Sequence, residues 1–235
     1  MTTNTLSNAE YSDKGMTSRK TALVAGIIYL LTFVSIPTLS LYSPLRTMDY
    51  VTGADSDASV VIGCILEIIV GLGCIGSAVV LYPVLKRQNQ TLALGLVGAR
   101  ILEAATIFVG ISFLLTILTL RQANLGADAQ ITGYTLSILY DRIFLIGQSF
   151  MPAVNDLLLG FLLYQSRLVP RNLSRIGMAG AIALVVGDLA ILFGVLEQRE
   201  PLAALFSVGV AVFEFSLGIW LVLKGFKIPV SQQTL

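Results

Sequence analysis

Six long apolar runs dominate the chain, at roughly 20–41, 59–85, 91–120, 134–164, 172–196 and 201–224, with short polar segments between them. At 1.5 Å of rise per residue each can cross a hydrocarbon layer of ~30 Å as a helix. The pattern predicts an all-α polytopic transmembrane bundle of six spans. A Ser/Thr/Asn-rich tail over 1–18 is expected to be disordered. Residues 19–227 form one transmembrane domain, and 228–235 a short tail. Six spans use nearly the whole length, leaving no separate soluble module. The first run follows Arg19 and Lys20 as a signal sequence would. It is too long for such a segment and shows no small-x-small cleavage site, so it reads as a retained span.

The polar segments alternate in charge. Lys14, Arg19, Lys20, Lys86, Arg87, Arg167, Arg171, Arg175, Lys224 and Lys227 fall on one side, and Arg46, Arg121 and Arg199 on the other. The bias of basic residues toward the cytoplasm then places both termini there. The outer segments carry Asp49, Asp55, Asp57, Asp128, Glu197 and Glu200. Aromatic anchors are expected at inner ends (Tyr82, Tyr164, Trp220, Phe226) and outer ends (Tyr42, Tyr134). Two outer loops, 42–58 and 121–133, are longer than a turn; the first reads as a solvated connector, the alternative being a lid or weak cation site for which Asp55 and Asp57 alone fall short of a calcium-loop pattern.

Charge inside the spans is the main functional signal. Six acids (Glu67, Glu103, Asp141, Asp156, Asp188, Glu214) face two bases, Arg100 and Arg142. Each costs at least ~2.5–3.5 kcal/mol near the bilayer centre, so they should turn inward, pair or take up protons. In the fourth span Tyr134, Asp141, Gln148 and Asn155 recur every seven residues, with Arg142, Ser149 and Asp156 one position over. Pro152 removes a backbone donor and frees the carbonyl of Gln148. A polar face with a proline kink suits a helix lining a cavity; a sealed core of mutually satisfied groups is the plainer account. Glu67 lies between Gly63 and Gly71 on one helix face. The expected pairings are Arg142 with Glu67 or Asp188, and Arg100 with Glu103 or Asp156. Glu214, with no basic neighbour in its own helix, reads as a neutral or proton-exchanging carboxyl. Small residues four apart (Gly73 and Ser77, Gly95 and Ala99, Gly177 and Ala181) mark close helix packing.

Composition narrows the chemistry. Charged residues make up only 12% of the chain, against about 25% in soluble domains. A net charge of +1 argues against a nucleic-acid partner. The chain has no histidine, so His-ligated metals, His-ligated haem and histidine bases are excluded. No lysine lies within a span, which excludes a retinal Schiff base. No phosphate-loop, nucleophile-elbow or zinc-protease motif occurs. Cys64 and Cys74 are ten residues apart on one helix, too far for a disulfide, and read as small core residues. No cofactor is expected.

Two motifs carry a family resemblance. One is Gly160, Tyr164 and Ser166, then Leu168-Val169-Pro170-Arg171, with Leu173, Gly177 and Gly180. The other is Arg100-Ile101-Leu102-Glu103-Ala104. Together they resemble the bacterial domain of unknown function 4386 family over about residues 18–224, with Asn172 departing from an often aromatic position. The resemblance implies a multi-pass protein of the bacterial plasma membrane and supplies no substrate, cofactor or catalytic residue. Pro170 reads as a helix-start proline, and Arg167, Arg171 and Arg175 as contacts for anionic lipid at the inner leaflet. The expected partners are the bilayer, that lipid and a second copy of the chain. The leading reading is a non-catalytic bundle binding a lipid, ligand or protein. A small proton-linked transporter comes second, and an intramembrane carboxylate enzyme third.

Overall fold

The computed structural model describes residues 18–53, 56–123 and 126–227. The expected tails, over residues 1–17 and 228–235, lie outside them, as does Asp55. Six helices are long and apolar enough to cross a membrane, and no strand occurs among the described residues. Helix α1 (Ser18–Ser35) ends in a 3-10 turn, Phe33–Ser35. A short α2 (Thr38–Leu41) and a 3-10 turn at Ser43–Arg46 lead to α3 (Ala58–Leu85) and α4 (Gln90–Gln122). The fourth span is composite: α5 (Ala127–Phe144), a π turn (Leu145–Phe150) and α6 (Met151–Ser166). Helices α7 (Arg171–Leu192) and α8 (Pro201–Leu223) complete the bundle.

Local chemistry explains most boundaries. Pro37 cannot donate to a preceding carbonyl, so the first span breaks after Ser35 instead of running to residue 41. Asn89 caps α4, its side chain accepting from Leu92 N–H at 3.0 Å. Pro170 precedes α7 and Pro201 opens α8, where a missing N–H costs nothing. Pro152 sits in the first turn of α6, directly after the π turn, which restores bonding around the donor that proline lacks.

The spans close into a ring. Each packs on its neighbour in sequence, α4 also contacts α6, and α1 meets α8 at Gly26 and Gly218. Arg19 donates to the carbonyls of Leu221 (2.9 Å) and Val222 (2.6 Å), and the Lys227 amide to that of Leu168 (2.8 Å). The two ends of the described chain and the α6–α7 connection therefore share one end of the bundle. At the other end Arg121 pairs with Asp57 at 3.2 Å and binds the Gly53 carbonyl at 3.0 Å.

Two expectations change here. The 42–58 segment is not a solvated connector: Tyr42, Leu45, Tyr50 and Val51 are buried in the core shared by α3, α4 and α5. Tyr42 is consequently a core residue and not an interfacial anchor. The second outer loop is also far shorter than expected, because α5 starts at Ala127. Asp128 in its first turn suits the positive end of the helix dipole.

The tightest helix contact is between α7 and α8. A Cβ on Gly180 would stand 2.5 Å from the backbone of Gly209, and one on Gly209 2.6 Å from Gly180 Cα. Backbone meets backbone, so neither position tolerates a side chain without separating the helices. Of the expected small-residue pairs, Gly177 does lie against the Phe213 ring, whereas a Cβ on Gly95 would meet nothing nearer than 4.0 Å. Gly180→Val should lower stability by about 1–3 kcal/mol or more by overpacking. Gly98→Ala, where a Cβ meets nothing within 4 Å, should be neutral or stabilising. Thermal unfolding of the purified variants reads both.

Candidate functional site

A polar cluster at the bundle centre is organised by Arg100, which is 3% exposed. Its Nη1 donates to Glu103 Oε2 at 3.1 Å and to Cys74 Sγ at 3.7 Å; its Nη2 donates to Glu214 Oε1 at 2.7 Å and to Tyr29 Oη at 3.0 Å. Asn155 Nδ2 donates to Glu103 Oε2 at 2.6 Å. One guanidinium thus joins α1, α3, α4 and α8, and α6 enters through Asn155. Asp156, on the same turn of α6, is completely buried, and neither of its oxygens has a donor among the described residues.

A second group lies nearer the opposite end from the termini. Tyr140 Oη donates to Glu67 Oε1 in a short hydrogen bond, and Tyr42 packs edge-on against Tyr140 with ring centroids 5.4 Å apart. The Tyr42 ring occupies the place where a side chain at Gly63 would stand, and Phe108 that at Gly71. The glycines beside Glu67 thus admit aromatic rings and do not leave open space around the carboxylate. Ser149 Oγ donates to Asp188 Oδ1 at 2.6 Å. Arg199 from the α7–α8 connection binds Asp141, and Gln198 Nε2 donates to the Asp141 carbonyl at 2.8 Å.

The pairing of Arg100 with Glu103 is as expected, but two other assignments are overturned. Arg142 is exposed and pairs with neither Glu67 nor Asp188. Glu214, expected to stand as a neutral or proton-exchanging carboxyl, is bound to Arg100; of the two partners expected for Arg100, Glu103 is the one found and Asp156 is not. The π turn accounts for the first change. It holds about one residue more than an α turn, so the line through Asn155 and Gln148 continues to Tyr140, eight residues on, and not to Asp141. Asp141 is rotated toward the α7–α8 connection and Arg142 out of the bundle. Tyr140, Tyr29, Ser149 and Arg199 are the partners that sequence reasoning did not supply. Pro152 was the one signal of the register change.

Two cavities flank these groups. The larger, about 430 Å³, is lined by Tyr42, Arg46, Tyr140, Asp141, Phe144, Ser149, Asp188, Arg199, Phe206 and Ser207, among others. The smaller, about 190 Å³, is lined by Arg100, Glu103, Gln148, Pro152 and Glu214, with the end of α1 and the facing side of α8. Leu184 and Ser207 belong to both walls, so the two are adjacent. Ile36, Ala204, Ser207 and Ala211 are exposed wall residues and mark a sideways opening between α1 and α8. The cavity expected along Asp141, Gln148, Asn155 and Glu214 is thus split. Gln148 and Glu214 line the smaller part and Asp141 the larger, while Asn155 is sealed against Glu103. Among the described residues no group of three Cys, Asp or Glu side chains could hold a metal ion.

At the end of the bundle that holds Arg19 and Lys227, the side chains of Arg167, Arg171 and Arg175 are exposed. The guanidinia of Arg171 and Arg175 lie 5.0 and 5.6 Å from the centroid of the Tyr164 ring.

A family model described as a domain of unknown function, DUF4386, matches residues 24–225. The chain belongs to that family. The match takes in all but the outermost turn of the membrane domain, so the Arg100 cluster and both cavities lie within the family's span. No curated protein and no solved structure matches the chain.

The cluster generates a charge-balance prediction. Arg100→Met strands Glu103 and Glu214 and should cost about 3–5 kcal/mol, seen as loss of folded protein. Adding Glu103→Gln and Glu214→Gln to it should recover most of that loss. Arg142→Ala should shift stability by less than about 0.5 kcal/mol. Size-exclusion yield and melting temperature of the purified variants check all three.

Proposed function

We propose that this multi-pass integral membrane protein is a non-catalytic bundle that binds an amphipathic molecule taken from the bilayer. The observation that carries this reading is the 430 Å³ cavity, where apolar and aromatic side chains stand beside Arg46, Asp141, Ser149, Asp188, Arg199 and Glu200. That volume lies within the roughly 300–1,000 Å³ of small-molecule sites. Its sideways opening at Ala204 and Ser207 faces the direction from which a lipid-dissolved molecule would arrive. The lysine and arginine bias supports a cytoplasmic orientation of the end of the bundle that holds Arg19, Arg171 and Lys227. Exposed Arg167, Arg171 and Arg175 at that end suit anionic headgroups. The family resemblance supports a bacterial plasma membrane.

Proton-linked transport is the second reading, favoured by Asp156. A completely buried carboxyl without a hydrogen-bond donor is untenable as a bare anion. The smaller cavity leads from the larger one toward this charged centre.

A saturable site for a dansyl-labelled dodecyl amphiphile is expected in nanodisc-reconstituted protein, by fluorescence titration. Ser207→Phe, which fills the wall common to both cavities, should weaken binding at least about tenfold. Equal, non-saturable partitioning in wild type and variant would overturn the binding reading. Transport would show as substrate-driven proton flux in liposomes that Asp156→Asn abolishes.

A further inference from the structure

Resting on the binding reading above, we infer that the larger cavity selects amphiphiles bearing an ammonium group, with Asp188 as the anchoring carboxylate. Asp188 is 2% exposed and stands in the cavity wall on α7. Ser149 satisfies Oδ1 at 2.6 Å, while Oδ2 has no hydrogen-bond partner. No basic side chain pairs with it among the described residues; Arg199, in the same wall, is bound to Asp141. A buried carboxylate left half-satisfied costs free energy that a cation entering the cavity recovers.

The rest of the wall fits such a guest. Tyr42, Tyr140, Phe144 and Phe206 contribute aromatic rings, whose faces attract ammonium groups. Leu184, Ile191 and Ala203 supply apolar surface for the chain that follows the headgroup. Arg46 and Glu200, from the connecting segments, also line the wall, and neither forms an ion pair with Asp188. Ser149 is a positioning residue: by holding Oδ1 it fixes the carboxylate in the cavity wall.

The test uses full-length protein in phosphatidylglycerol nanodiscs, which contain no ammonium lipid. Isothermal titration compares dodecyltrimethylammonium, dodecanol and dodecanoate below their micelle concentrations. Wild type should bind the ammonium at least about tenfold more tightly than dodecanol, and Asp188→Asn should erase that preference while leaving dodecanol binding in place. Ser207→Phe should weaken both ligands. Equal affinity for ammonium and alcohol in wild type overturns the ammonium selection but leaves the cavity as a binding site. A preference for dodecanoate overturns it as well and turns attention to Arg46. Absence of saturable binding by any probe, or indifference to Ser207→Phe, overturns the binding reading itself. Should Asp188→Asn fail to fold, wild-type discrimination still decides. Photo-crosslinking with a diazirine-bearing alkylammonium then maps the site: labelling on α7 around Asp188 supports the inference, and labelling elsewhere overturns it.

Discussion

One buried guanidinium holds the centre of this bundle together. In a hydrocarbon surround apolar side chains gain little by meeting one another, since lipid tails are equally apolar, so specificity passes to close packing and to polar contacts. Arg100 engages Tyr29, Cys74, Glu103 and Glu214, which lie on four different spans. Asn155 extends the set to a fifth through Glu103. Planar and with five donors, arginine can serve such a set where lysine could not. Glu67, Asp188 and Asp141 go to Tyr140, Ser149 and Arg199, so these contacts also fix one part of the bundle against another, and Asp156 alone of the membrane acids has no donor among the described residues.

The close-packed seams and the open places have a common geometry. Where α7 and α8 touch backbone to backbone at Gly180 and Gly209, the ring is tight. Where α1 stops at Ser35 before Pro37, the ring loses a wall, and both cavities lie beside that gap. A proline that shortens one helix therefore decides where the two cavities lie. The second proline, Pro152, has a different effect. It accompanies the π turn, turns Tyr140 inward to Glu67 and turns Arg142 out.

Several buried polar atoms lack a hydrogen-bond partner, Glu67 Oε2, Asn155 Oδ1 and Ser174 Oγ among them, and two carboxyls in that set stand in contrasting places. Oδ2 of Asp188 and both oxygens of Asp156 are buried without donors. One stands in the wall of a cavity; the other is enclosed. This contrast is why the binding and transport readings rest on different carboxyls.

Six spans, the all-α class, the inward turn of Glu67, Glu103, Asp156, Asp188 and Glu214, and the Arg100–Glu103 pair were all legible in the sequence. Hydrophobic length and the cost of charge in lipid determine these locally, residue by residue. The partners of most acids were not legible. Tyr140 replaces Asp141 on the inward line because a π turn changes the register by about one residue, and that turn leaves no periodic signature beyond Pro152. Glu214 meets Arg100 across 114 positions of chain only because the ring closes α1 and α8 around α4. Helix existence is a local property of composition, whereas pairing and cavity shape depend on rotation and closure of whole helices, which only the tertiary structure decides.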